Sequence, residues 1–157
     1  MIVGGEAFVL VERSVLENNE RFGLGTGALV LQGQASGTVV ENRIVGNGIG
    51  ILAQESSLLN VQRSLFSENA TALLAQGDAT LGAIEASQFF ENDDAIVLKE
   101  SVQVSKLTGN EIRNNRGIGV QAEIPENISE CAENLVEGNE GGNYNESAAQ
   151  ACAPRNP

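Results

Sequence analysis

A six-residue signature returns along this chain at nearly constant spacing, and it limits the possible folds more than any other feature. It reads Ser or Asn, any residue, an apolar residue, two further residues, and a closing Asn. It occurs at Ser14 to Asn19, Asn42 to Asn47, Ser64 to Asn69, Ser87 to Asn92, Asn110 to Asn115 and Asn134 to Asn139. The closing residues Asn19, Asn47, Asn69, Asn92, Asn115 and Asn139 are separated by steps of 28, 22, 23, 23 and 24. Three positions before each signature stands Val11, Val39, Val61, Ile84, Leu107 or Cys131. A further register, Leu29, Ile51, Leu73, Ile96 and Val120, marches with the same period. Registers that advance together at 20 to 50 residues mark a repeat architecture.

Each unit holds three short apolar segments separated by turns. None is long enough for a helix, and pairs such as Leu29 and Leu31 alternate with the period of a strand. One such coil cannot bury its own inner face, so coils must stack, each strand pairing with its equivalent in the next. The expected fold is therefore all-β, a single-stranded parallel β-helix of about six coils with three short strands per coil. At ~4.8 Å per rung the stack is about 25–30 Å long. Residues 1–139 form the coils and 140–157 a C-terminal cap or tail. Leu16, Ile44, Phe66, Phe89, Ile112 and Val136 become one internal column. The closing asparagines become a structural ladder, because Asn tolerates left-handed bends and its amide can donate to one rung while accepting from another. Gln32, Gln54, Gln76, Lys99 and Glu123 form a second polar column at an outer corner.

Composition agrees with many short strands joined by tight turns. The 157 residues are 41% hydrophobic but 4% aromatic, with 18 Gly, 3 Pro, no Trp and no His. Nine basic and 21 acidic residues give a net charge of −12. Such a surface repels phosphate backbones, so no nucleic-acid partner is expected. No apolar run reaches the ~18 residues of a membrane span. Met1 to Glu6 do not read as a signal peptide. Cys131 and Cys152 both lie in the last 27 residues, as an even pair confined to one end. They read as a disulfide stapling the tail, which places the protein in an extracellular, periplasmic or cell-surface setting.

Units such as Val61-Gln62-Arg63-Ser64-Leu65-Phe66-Ser67-Glu68-Asn69, closing with Ala72-Leu73-Leu74-Ala75, resemble the repeats of the pectate-lyase-like superfamily of right-handed parallel β-helices. The resemblance runs over about residues 8–143 and implies a right-handed coil. It also points to the C-terminal coils of a longer protein. Because the superfamily spans lyases, hydrolases, epimerases, tailspikes and non-catalytic proteins, the fold does not carry the function. Family lyases that use calcium rely on clustered carboxylates with a nearby Arg or Lys. Here Glu68, Glu91, Asp93 and Asp94 gather towards one corner, as a candidate Ca²⁺ site or as a solvated acidic ridge. No other cofactor and no catalytic constellation is read.

Several irregularities complete the reading. Coil one is longer by about six residues through Glu20-Arg21-Phe22-Gly23-Leu24-Gly25-Thr26-Gly27, a candidate projecting loop or a bland bulge. Arg13, Glu41 and Arg63 share a slot and are expected to alternate in charge up the outside. The bare first coil is expected to be covered by missing coils or by self-association. The sequons at Asn69, Asn127 and Asn145 are discounted as glycosylation sites. The functional expectation is a non-catalytic secreted or cell-surface scaffold, with carbohydrate or another protein as its partner. The alternative is a fragment of a polysaccharide lyase or epimerase whose active site lies in missing upstream coils.

Overall fold

The structure, a computed structural model, describes residues 1–19 and 27–153. The expected loop at Glu20 to Gly27 lies, but for Gly27, outside the described residues. Coil one contains β1 (Ile2–Val3), β2 (Phe8–Glu12) and β3 (Val15–Glu17), and coil two β4 (Leu29–Leu31), β5 (Ser36–Val40) and β6 (Arg43–Val45). Coil three contains β7 (Ile49–Ala53), β8 (Leu58–Gln62) and β9 (Leu65–Ser67), and coil four β10 (Thr71–Ala75), β11 (Thr80–Glu85) and β12 (Gln88–Phe90). Coil five contains β13 (Asp94–Leu98), β14 (Gln103–Thr108) and β15 (Glu111–Arg113). Coil six contains β16 (Ile118–Ala122), β17 (Cys131–Ala132) and β18 (Leu135–Glu137), and β19 (Gly142–Tyr144) follows.

Every third strand pairs in parallel with its equivalent in the neighbouring coils. The result is three parallel sheets of seven, six and six strands, led by β1, β2 and β3 respectively. The registers match the sequence columns: Leu73 lies between Ile51 and Ile96, and Phe89 between Phe66 and Ile112. Phe66 and Phe89 stack with ring centroids 4.6 Å apart. The repeat length varies for local reasons. A register shift between Leu81 and Ala83 marks Gly82 as an extra residue in β11, which lengthens the step from 22 to 23. The step of 24 is already set where β13 meets β16, with Ile96 partnering Val120. Val30, Leu52 and Val97, which alternate with core residues along their strands, are buried as well.

Three columns of left-handed residues turn the corners. Arg13, Glu41, Arg63, Ala86, Gly109 and Glu133 hold the first, and Gly5, Gly33, Glu55, Gly77 and Glu100 the second. The third is Asn18, Gly46, Glu68, Glu91, Asn114 and Gly138. Positive φ therefore falls on the residue before each closing Asn, not on that Asn. The closing Asn serves the turn through its amide alone.

The C-terminal end is covered. After Asn139 the chain does not leave the stack: β19 pairs with β16, and Asn143 Oδ1 accepts from the backbone N–H of Asn139. Helix α1 (Glu146–Cys152) then crosses the end, burying Ala148. Asn145 Oδ1 accepts from Ala148 N–H at its first turn and from Ala122 N–H in β16, fixing helix to sheet. Cys131 and Cys152 form a disulfide with Cα atoms 5.0 Å apart. Burial under the cap holds the Tyr144 phenol above its ordinary pKa.

Candidate functional site: the asparagine corner and its groove

The closing asparagines form one continuous ladder. The amide oxygen of Asn47 accepts from the backbone N–H of Asn19 at 2.9 Å, and that of Asn69 accepts from Asn47 at 3.0 Å. The same bond recurs from Asn69 to Asn92, Asn92 to Asn115 and Asn115 to Asn139. Nδ2 donates as well: Asn92 Nδ2 reaches Phe66 O in the coil before, Phe90 O in its own coil and Asn115 Oδ1 in the coil after. The turns are thereby supplied with the partners that buried backbone groups require. A second ladder opens the signature, in which the side-chain oxygens of Asn42, Ser64, Ser87, Asn110 and Asn134 accept in turn from the backbone N–H groups of Ser14, Asn42, Ser64, Ser87 and Asn110. Its use of Ser and Asn alike explains why both are tolerated there: either side chain presents an acceptor oxygen to the coil before.

The remaining corner is held by glutamates, of which Glu123 belongs to the polar column of the repeat while Glu55 and Glu100 are not singled out by it. Glu55 accepts from Gly33 N–H at 2.7 Å, Glu100 accepts from Gly77 N–H, and Glu123 accepts from Glu100 N–H. Beside them Gln54 donates to Gln32 and Gln76 to Gln54, at 3.3 and 3.2 Å. Tracking the residue after each Gln shows the alternation of Gly33, Glu55 and Gly77, and that is the signal which finds this ladder. The outer charge column is realised only in part. Arg63 bonds Glu41 at 3.1 Å, whereas Arg13 lies 3.7 Å from its neighbour Glu12. Glu41 is engaged by Arg63 from the coil after it, and Arg13 lies beside Glu12, its own sequence neighbour.

Outside the asparagine ladder runs a groove of about 890 Å³. Its walls are the residues before and after each closing Asn. Asn18, Gly46, Glu68, Glu91 and Asn114 stand on one side, and Gly48, Ala70, Asp93, Arg116 and Glu140 on the other. Asn47 and Asn69 form part of the lining. The small residues Gly46, Gly48 and Ala70 leave the space open between longer side chains. Of the calcium candidates, Glu68, Glu91 and Asp93 line this groove. Asp94 does not join them: it begins β13, and its Oδ1 accepts from Ile118 N–H at 3.1 Å. Asp93 is already bonded to Arg116 Nη1 at 2.9 Å. Among the described residues, no three His, Cys, Asp or Glu side chains converge in a way that holds a metal ion.

The amide nitrogens of the three sequon asparagines are all engaged. Asn69 Nδ2 donates to Ile44 O and Ser67 O, Asn127 Nδ2 to Val102 O and Glu100 O, and Asn145 Nδ2 to Ala122 O. Glycosylation at any of them breaks bonds that hold a coil in place.

A family model described as the right-handed β-helix region matches residues 3–151, nearly the whole chain. The chain belongs to this family of right-handed parallel β-helices. No curated protein and no solved structure gives a match. No helix among the described residues is long and apolar enough to cross a membrane.

Proposed function

We propose that the chain is a non-catalytic scaffold domain of a secreted or cell-surface protein, a rigid rod that presents a binding surface along its side. The observation that carries this reading is the commitment of its polar side chains. Asparagine, serine and glutamate groups at three corners are spent on bonds from coil to coil. Side chains locked between rungs hold shape and have little freedom to move protons. The Cys131–Cys152 bond supports an oxidising setting, since such bonds persist in secreted and surface proteins. Carbohydrate or protein is the expected partner, because the groove offers amides, carboxylates and one guanidinium over a length of several coils.

That same mixture favours a second reading, a piece of a polysaccharide lyase or epimerase. Incubation with a panel of acidic and neutral polysaccharides, with and without added Ca²⁺, tests whether this chain turns substrate over in its own groove. The scaffold reading predicts no release of unsaturated uronate by absorbance, together with saturable binding to one member of the panel or to a protein. Sustained turnover abolished by Asp93→Asn or Glu91→Gln replaces it with the enzyme reading.

A further inference from the structure

Each closing asparagine is followed by a residue at the groove, and at four rungs that residue is Ala70, Asp93, Arg116 or Glu140. At the rung of Asn47 it is Gly48, which makes the one Asn-Gly pair in the chain. Without a Cβ on the following residue, a backbone nitrogen reaches the asparagine Cγ unhindered. The fold does not ask for glycine there. A Cβ at position 48 meets no atom within 4 Å, and Gly48 is not among the left-handed glycines. What the fold does is hold the pair out of reaction. Asn47 is 2% exposed. Its Oδ1 accepts from the backbone N–H and from Nδ2 of Asn19, both at 2.9 Å. Its Nδ2 donates to Leu16 O at 3.0 Å, Val45 O at 3.1 Å and Asn69 Oδ1 at 2.9 Å. Gly48 N–H is itself turned to Asn19 O at 3.4 Å. Swinging the amide onto the Gly48 nitrogen breaks these bonds together.

We propose that Asn47 is a deamidation site that the stack keeps shut, so that a chain whose second and third coils stay open loses the ability to close them again. In the open chain the Gly48 nitrogen, its proton lost to hydroxide, attacks Cγ of Asn47. The Cγ–Nδ2 bond breaks, and Nδ2 leaves as ammonia with a proton taken from water. Water then opens the cyclic imide at either carbonyl, giving aspartate or isoaspartate at position 47. Neither product fits the ladder. Aspartate sets an acceptor oxygen where Nδ2 stood, facing the oxygens of Leu16, Val45 and Asn69 with no donor between them. Isoaspartate carries the main chain through the side chain and lengthens it by a carbon atom between β6 and β7, against the register of both neighbouring coils. Unfolding that is followed by chemical change of the open chain is irreversible. Folding therefore sets the lifetime of this position, since the amide is exposed to attack only while the rung is open.

The test ages two samples of the whole chain at the same mildly alkaline pH and temperature, one folded and one held in guanidinium chloride without reductant. Peptide mapping by mass spectrometry reads conversion at each asparagine, and the far-UV spectrum after dilution reads the fraction that refolds. In the open sample Asn47 is expected to convert ahead of Asn69, Asn92, Asn115 and Asn139, and the refolding fraction to fall one for one with unconverted Asn47. In the folded sample Asn47 is expected to remain an amide over the same time. Gly48→Ala, which the open space at that position accommodates, is expected to keep its refolding fraction through the same ageing. Asn47→Asp supplies one product directly, with no ageing step, and is expected to melt below the unaltered protein or not to fold. If the unaged chain refolds poorly, the conversion ratio and Asn47→Asp decide the matter. Equal conversion in the two samples, an open chain in which another asparagine leads, refolding of the converted chain, or an Asn47→Asp protein as stable as the original overturns the proposal.

Discussion

In the middle of the ladder the amide of Asn69 has no spare polar atom. Its oxygen accepts from the backbone N–H and Nδ2 of Asn47, and its Nδ2 donates to Ile44 O, Ser67 O and Asn92 Oδ1. Asn69→Ala strands all of these groups in a site 1% exposed. An unsatisfied buried group costs ~1–3 kcal/mol, so the loss is expected to be about 3–5 kcal/mol, read as a fall of roughly 10 °C in melting temperature. Asn19→Ala, at the exposed end of the same ladder, is expected to cost about 1 kcal/mol. Equal losses at the two positions contradict the ladder's energetic role. Ser57 is the reverse case. It is fully buried in a corner column with Ala35 and Ala79, and its hydroxyl is without a partner. Ser57→Ala matches its neighbours and is expected to raise stability by about 1 kcal/mol in urea denaturation; a loss of stability refutes that assignment.

At the scale of elements, what the sequence makes legible is what stacking forces to be alike. Leu29, Ile51, Leu73, Ile96 and Val120 are readable as a column because each must fill the same volume as its neighbour above and below. The Ser/Asn and closing Asn columns are readable because each must present the same atom. Outward residues obey no such constraint, so the pairing of Arg13 with Glu12 and the engagement of Asp94 by Ile118 needed three-dimensional distances. The glutamate ladder was hidden by alternation of Gly33, Glu55 and Gly77, in which a glycine supplies the turn and a glutamate both the turn and the bond. The continuation through β19 was hidden because Asn143 follows Asn139 by four residues instead of a full coil. The cap itself is expected to depend on Cys131–Cys152. Closing a loop of this size contributes ~3 kcal/mol in the chain-entropy picture. Cys152→Ser should therefore lower the denaturation midpoint and expose β17 and α1 to exchange first, leaving coils two to four protected. Loss of protection throughout the chain contradicts a local role for the bond.

Across the whole molecule the three sheets and the corner ladders run in the same direction, along the coil axis. Sheets alone leave the turns as weak points, since a turn usually exchanges its peptide protons with solvent far more readily than a strand. Here the turns of the two Ser/Asn corners are each tied to the next by a side chain, and those of the third corner at intervals by Glu55, Glu100 and Glu123, so strands and turns resist opening together. That continuity supports a scaffold. The same continuity gives the groove a fixed floor: Asn47 and Asn69 hold their shape whether or not a ligand is bound.

Residue-resolved hydrogen exchange at the backbone amides of Asn47, Asn69, Asn92 and Asn115 tests this account most directly. All four lie in turns, and each donates to the asparagine oxygen of the following coil. The account predicts protection equal to that of the strand amides of Leu52, Leu74 and Val97, with the protection of Asn47 lost in Asn69→Ala. Exchange of the four turn amides at ordinary loop rates in the unaltered protein contradicts it.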